Sequence, residues 1–206
     1  MVEVSNVKVY DLFESVIACR NAMRLEQLPE VGGYTQEEFN KSLERAIKLC
    51  KAPSNSGHAN FLTGIRVSFD IKYPNYISPE MQRYHWYDIV TSSSKMHTLT
   101  KMADDPSRYN KYVTRETLDQ MKRLQDNYNE ACETGTPEDC YEAFMKLVSN
   151  CPQGIELFMR VSTNYMQLRN IYAQRKNHKL KEDWGAFCDM IRKLPYAKEF
   201  LLVDQE

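Results

Sequence analysis

Glycine is scarce in this chain, with seven in 206 residues. That excludes the glycine-rich phosphate loops of the Rossmann and P-loop nucleotide binders, which need several close together. There is no G-x-S-x-G nucleophile elbow and no H-E-x-x-H zinc motif. No apolar run approaches the ~18 residues that span a bilayer. Met1 to Tyr10 lacks the basic and long apolar regions of a secretory signal, so the cytoplasm is the expected location. Charge of one sign is not in excess: the formal net charge is -1, which points to neither nucleic acid nor an anionic membrane as partner. The six cysteines (Cys19, Cys50, Cys132, Cys140, Cys151, Cys188) include no C-x-x-C pair. A disulfide framework and a zinc site are therefore not expected, and buried or incidental thiols are. No pair of carboxylates stands out as an acid/base dyad. No repeat, low-complexity tract or linker interrupts the chain, so residues 1–206 read as a single domain.

What is present is ordinary globular material, 42% hydrophobic and 27% charged. Apolar residues at helical spacing (Leu12, Val16, Met23) predict a helix over Val7 to Gln27, ended by Pro29, Gly32 and Gly33. Thr35 and Glu38 form a capping box that opens a second helix running to about Lys51. Ile65, Val67, Phe69 and Ile71 then alternate with polar residues, a half-buried strand stopped by Pro74. Asp104-Asp105-Pro106 is a turn. The C-terminal half reads as helical: Thr114 to Glu133, then a helix capped by Thr136 with Pro137 at its first position, then Thr163 to His178, then Lys181 to Lys193 ended by Pro195. The class is α/β or α+β, with a small sheet and several helices.

Two constellations could carry chemistry. The segment Gln82 to His97 mixes Arg83, His85, Trp86, Ser92, Ser93, Ser94 and Lys95. Cations and hydroxyls suit a phosphate, and the aromatic rings suit a flat heterocycle. The plainer reading is a loop and a helix start with capping serines. The second constellation is Asn164, Arg169, Asn170, Arg175 and His178. On one straight helix, Asn164 and Arg175 lie about three turns apart on one face, a face that Arg160 shares. The plainer reading is a solvated basic face.

Spacing across most of the chain resembles the flavin-dependent thymidylate synthases. That family has a histidine, a strand of the form F-T-F-x-V-K-x-P, then the signature R-H-R-x7-S. Here His58 precedes Val67-Ser68-Phe69-Asp70-Ile71-Lys72-Tyr73-Pro74. The signature resembles Tyr84-His85-Trp86 with Ser94, or, shifted by one, Arg83-Tyr84-His85 with Ser93; both registers stay open. Pro152 and then Asn164, Leu168, Asn170 and Arg175 resemble the family's N-x-R-x-L-x-N/H-F-x-x-x-R helix, with Glu182-Asp183-Trp184 following. Ala18-Cys19-Arg20 echoes its first helix.

The resemblance implies a small mixed sheet flanked by helices, and a homotetramer with active sites between subunits. It also implies FAD, a deoxyuridine nucleotide (dUMP) as substrate, a methylene-folate as one-carbon donor and NADPH as reductant. Carried over by position, His58, His85, Asn164 and Asn170 would face the flavin. Arg83, Ser93, Ser94, Lys95 and Arg175 would face the nucleotide, with Arg175 and Ser94 the catalytic pair. No resident metal is implied. The chain departs from the pattern at Tyr84 and Trp86, at Val148 and Met166 where arginines are expected, and at Lys95-Met96 where Gly-Arg follows the serine. Arg83, Lys95, Lys101 and Lys146 are the cations nearby in sequence that could compensate. The expected function is a thymidylate synthase-like one-carbon transfer. The alternatives are a nucleotide-binding or regulatory protein without flavin chemistry, and an interaction protein using its tyrosine- and methionine-rich surface.

Overall fold

β2 (Arg66–Pro74) forms where alternation predicts it: Val67, Phe69 and Ile71 are buried while Arg66, Ser68, Asp70 and Lys72 are only partly covered. The computed structural model describes residues 1–24, 33–53 and 56–203. β2 belongs to a four-stranded antiparallel sheet of order β1-β2-β4-β3. The α/β class with a small sheet and flanking helices stands. Strand direction is the refinement: the sheet is antiparallel where a mixed one is the expectation.

β1 (Glu3–Tyr10) occupies the start of the region expected to be helical. Its valines explain why. Val2 and Val4 alternate on even positions and Val7 and Val9 on odd ones, a β-branched pattern whose phase changes once. The change falls at Asn6, which adopts the left-handed φ of 49°, as an extra residue in a ladder would. Only after Asp11 does a helix begin, α1 (Leu12–Ala18), followed by a 3₁₀ turn at Asn21–Met23. The breakers Pro29 and Gly32 and the predicted end at Gln27 lie outside the described residues.

β4 (Glu156–Asn164) is a strand the sequence analysis does not anticipate. Leu157, Met159, Val161 and Thr163 are buried, but the outward position of Phe158 makes Leu157-Phe158-Met159 a continuous apolar run. That run hides the period of two. β3 (Asp88–Ser92) is exposed along its whole length and lies at the sheet edge.

Contacts divide the chain into two compact units, and each is taken by itself. One comprises Met1–Glu3, Ile71–Arg83 and Val90–Arg160. It holds α3 (Ser78–Met81), α4 (Lys95–Met102), α5 (Arg115–Thr134) and α6 (Pro137–Ser149). Thr114 and Thr136 cap α5 and α6, the latter in a capping box with Asp139. Leu99, Ala103, Tyr109, Met121, Leu147 and Ile155 form its core. The buried Tyr109 hydroxyl donates to the Ala103 carbonyl at 2.7 Å, so its polar atom is satisfied. Cys132 on α5 and Cys140 on α6 are joined in a disulfide, with Cα atoms 4.6 Å apart. This corrects the expectation of six thiols. The two cysteines stand eight residues apart, and the Gly135 reversal between α5 and α6 brings them into reach.

The other unit comprises Val4–Asp70, Tyr84–Ile89 and Val161–Glu206. It holds α1, α2 (Gln36–Cys50), α7 (Tyr165–Arg175), α8 (Lys181–Arg192) and α9 (Ala197–Phe200). The Thr35–Glu38 capping box is present as expected. Phe13 stacks on Phe39 with ring centroids 4.8 Å apart, and Phe69 meets Phe187 edge-on at 5.7 Å.

Candidate functional site

α7 starts two residues later than expected and stops at Arg175, with Asn164 outside it as the cap. The Asn164 side-chain oxygen accepts from the Gln167 N–H at 2.8 Å, and the residue is buried. That spends its acceptor on the helix start. Arg160 lies on β4, so the shared helical face of Asn164 and Arg160 does not form. Lys176 caps the far end of α7, and a short turn through Asn177 and His178 leads into α8.

In α8, Trp184, Phe187, Cys188 and Ile191 fall at i, i+3, i+4 and i+7, and all are buried. This spacing turns Trp184 inward. Its ring carries the Arg175 guanidinium 4.5 Å from its centroid. The Tyr84 ring lies 5.6 Å from the same guanidinium, and Arg175 Nε donates to the Tyr84 hydroxyl oxygen at 2.7 Å. The Tyr84 hydroxyl in turn donates to Gln174 Oε1 at 3.2 Å. Arg175 is therefore held by two cation–π contacts and a hydrogen bond donated by its Nε, which fixes the plane of its fork. His178 meets Trp184 edge-on at 6.0 Å, and its Nδ1 accepts from the Leu180 N–H at 3.2 Å. In the neutral ring Nε2 then carries the N–H. Arg175, Lys176, Asn177, His178, Lys181 and Gly185 line a cavity of 480 Å³.

The turn between β3 and α4 carries the serines. The Ser93 N–H donates to the Phe158 carbonyl at 2.8 Å, and the Phe158 N–H donates to Ser93 Oγ at 3.0 Å. The Ser93 side chain thus extends the ladder to β4. Ser94 caps α4 with its backbone, and its side chain makes no capping bond. Lys95 is half-buried at the first position of α4, and Arg83 is exposed. Lys146 pairs with Glu142 at 2.6 Å on α6.

The remaining expected residues are scattered. His58 is exposed on the turn before β2, and Asn170 is exposed on α7. His85 is exposed and meets the ring of Trp86 edge-on at 4.6 Å. None of these three makes a hydrogen bond or ring contact with Arg175 among the described residues. Tyr84 and Trp184 as the partners of Arg175 escape sequence reasoning, since each depends on chain segments far apart. The lysines around His178 are visible as Lys176, Lys179 and Lys181, but only the fold shows which of them line the cavity. Burial pushes the Cys50 thiol up to about 12 and the Cys188 thiol up to about 11, and raises Cys19 and Cys151 as well. None of these four is an activated nucleophile.

No known protein family and no curated protein matches the chain by sequence. Solved structures do. The flavin-dependent thymidylate synthase ThyX of Helicobacter pylori, in a crystal structure with FAD and dUMP, superposes with a TM-score of 0.68 at 16% identity, covering 98% of this chain and 97% of that one. A second structure of that enzyme, also with FAD and dUMP, gives 0.64 at 17% identity over 96% and 97%. The chain has the flavin-dependent thymidylate synthase fold. A UMP/dUMP methylase from Streptomyces cacaoi, bound with 5-Br dUMP, shares the thymidylate synthase fold as well, with a TM-score of 0.60 at 11% identity over 98% of this chain and 94% of that one. Within this thymidylate synthase fold, the signature-like segment runs from the loop at Tyr84 through β3 to the first turn of α4.

Proposed function

We propose that this chain is a divergent flavin-dependent thymidylate synthase-like enzyme that transfers a one-carbon unit to C5 of a deoxyuridine nucleotide. The observation that carries the reading is Arg175, held by Tyr84 and Trp184 at the end of α7. A guanidinium fixed in this way can donate to a uracil carbonyl and meet negative charge as it develops on the ring, without reorganising at the moment of reaction. Ser94 is the better-supported register of the two, because the Ser93 hydroxyl is engaged by the Phe158 amide while Ser94 makes no side-chain cap. In that register Tyr84-His85-Trp86 is the signature triplet. Ser94 and Lys95 then offer a hydroxyl and an ammonium to the nucleotide, with Arg83 a further cation.

The donor set fits a flavin. His58, His85 and Asn170 are exposed hydrogen-bonding groups without charge in their neutral forms, suited to the polar edge of an isoalloxazine. Trp86 beside His85 is 51% exposed, a large apolar surface a flat ring can cover. Asn164 keeps its amide N–H groups for that edge once its oxygen serves the helix. Flavin, when bound, supplies the redox chemistry. NADPH as reductant, methylene-folate as donor, a homotetramer and a cytoplasmic single-domain protein complete the proposal. Among the described residues no helix is long and apolar enough to cross a membrane.

One observation favours a second reading, nucleotide binding without flavin chemistry: the signature positions that carry arginine in the family hold Tyr84 and Trp86. An absorbance spectrum of freshly purified protein, before and after adding FAD and desalting, decides between them. Bands near ~370 and ~450 nm that shift on adding dUMP support the enzyme. A flat spectrum, with dUMP but not FAD raising the melting temperature, supports the second reading and rejects the first.

A further inference from the structure

We propose that the Cys132–Cys140 bridge is a redox clasp, opened by thiol–disulfide exchange with small thiols that carry no negative charge and closed by the reverse exchange. The proposal does not rest on the flavin reading. Access comes first. Cys132, near the C-terminal end of α5, is exposed, and Cys140, at the fourth position of α6, is only partly covered. Burial raises the thiols of Cys19, Cys50, Cys151 and Cys188 and so holds them protonated. A dissolved thiol therefore meets one reactive sulfur centre in this chain, the bridge. The helix ends set the direction of attack. A thiolate RS⁻ attacks Cys132 Sγ, forming a mixed disulfide between Cys132 and R, and Cys140 leaves as the thiolate. The N-terminal end of α6 favours that anion, whereas a thiolate leaving from Cys132 would face the negative end of α5. A second RS⁻ attacks the sulfur of R and releases RSSR and the Cys132 thiolate. Both protein thiolates take up the protons that the two thiols gave. Two small thiols are oxidised to one disulfide, and the bridge is reduced to two thiols.

Charge selects the thiol. The segment from Asn129 to Glu142 carries Glu130, Glu133, Glu138, Asp139 and Glu142 and no lysine, arginine or histidine. Lys146 pairs with Glu142. Hydrogen bonds from the Thr136 N–H and hydroxyl hold the Asp139 carboxyl below its ordinary value, so it is an anion at neutral pH. Exposed carboxylates repel an anionic thiol such as glutathione and attract an aminothiol, over about a Debye length. Opening the bridge matters because this tip is thinly packed. Met121 and Gln125 are the buried residues of α5, and Leu147 is that of α6. Cys132 stands about 10 Å along the helix beyond Gln125. Between them the Tyr128 and Phe144 rings meet with centroids 6.1 Å apart. Reduction therefore loosens the α5–α6 tip and leaves the core of the unit packed.

The test uses the full chain purified without reductant. Iodoacetamide added to the denatured chain should label four cysteines before reduction and six after it, read by mass spectrometry. Cysteamine, 2-mercaptoethanol and 3-mercaptopropionate then open the bridge of the folded chain. Each rate is divided by that thiol's rate on oxidised 2-mercaptoethanol, a neutral disulfide, which removes differences in nucleophilicity. At low ionic strength cysteamine should lead 3-mercaptopropionate by about fivefold or more, with 2-mercaptoethanol between them. The gap should shrink to about twofold in about 1 M chloride, and also at low salt in Glu133→Gln/Glu138→Gln. Reduction should lower the melting temperature by about 5 °C or more. Hydrogen exchange should quicken at the tip while the amides around Met121 and Leu147 stay protected. Cys132→Ser/Cys140→Ser should melt with the reduced native chain and ignore added thiols. Six labels without reduction, no gap between the thiols at low salt, or a melting temperature that reduction does not move would each overturn the proposal. The flavin spectrum is a separate readout, so either reading can fail while the other stands.

Discussion

The α7–α8 corner and the β3–α4 turn carry similar side chains and hold them in opposite ways. At the corner, Arg175 is packed against Trp184 and hydrogen-bonded to Tyr84, and the wall behind it is the buried stripe of α8. At the turn, Ser94 and Lys95 stand at the start of an eight-residue helix, beside a strand exposed at every position. The first arrangement fixes a charge before any ligand arrives. The second leaves hydroxyl and ammonium groups to be ordered by the ligand, which costs side-chain entropy on binding. A divergent chain can lose the arginine expected at Met96, in the open turn, with little effect on folding. Replacing a framed guanidinium disturbs the packing that frames it.

The largest effect that tests this contrast is Trp184→Ala. Removing a ring that is 1% exposed should cost about 3–5 kcal/mol in urea unfolding. Tyr141→Ala on the 65% exposed tyrosine of α6 should change stability by about 0.5 kcal/mol or less. Equal losses would mean that the corner is no more rigid than an open helix face.

Next in size is the pair Ser93→Ala and Ser94→Ala. The first strips the Phe158 N–H of its side-chain acceptor and should cost about 0.5–1 kcal/mol, read as a lower urea midpoint. The second should leave the midpoint in place and weaken dUMP binding severalfold by calorimetry. The reverse pattern would restore the other register.

The smallest effect is a pH dependence in the unit that holds the turn. Burial alone would raise the Glu156 carboxyl, but the hydrogen bond and charge of Lys72 across the sheet, aided by the chain's amino group, hold it below its ordinary value. The same bond raises Lys72. A carboxyl lowered in the folded state contributes fully above its unfolded value of about 4.3 and loses that contribution as pH falls through the lower folded value. Thermal unfolding from pH 7 to 3 should therefore show a steeper acid limb in the native chain than in Glu156→Gln. Parallel limbs would remove the pair from the stability of the sheet.

Much of this was legible in the residues. The capping box at Thr35, the cap at Thr136 and the alternation of β2 are local patterns, and local patterns survive folding because they act within one turn or one strand. β4 was missed because outward Phe158 masks its alternation, and β1 because the phase change at Asn6 breaks its valines into two short runs. The disulfide was missed because spacing alone does not show that α5 and α6 fold back at Gly135. At the candidate site, Arg175 was found from a resemblance, while its partners were not.

The sequence by itself determined where the threonine-capped helices α2 and α6 begin, which face of β2 turns inward, and that no glycine-rich phosphate loop exists; capping, side-chain periodicity and composition are properties of neighbouring residues. Only the tertiary structure decided that Tyr84 meets Arg175 across ninety-one positions of chain, that Ser93 belongs to the ladder while Ser94 does not, and that Gly185 lines a cavity among basic residues. Those outcomes depend on which distant segments close against one another, and closure is settled by packing and hydrogen-bond satisfaction over the whole chain rather than within any window of it.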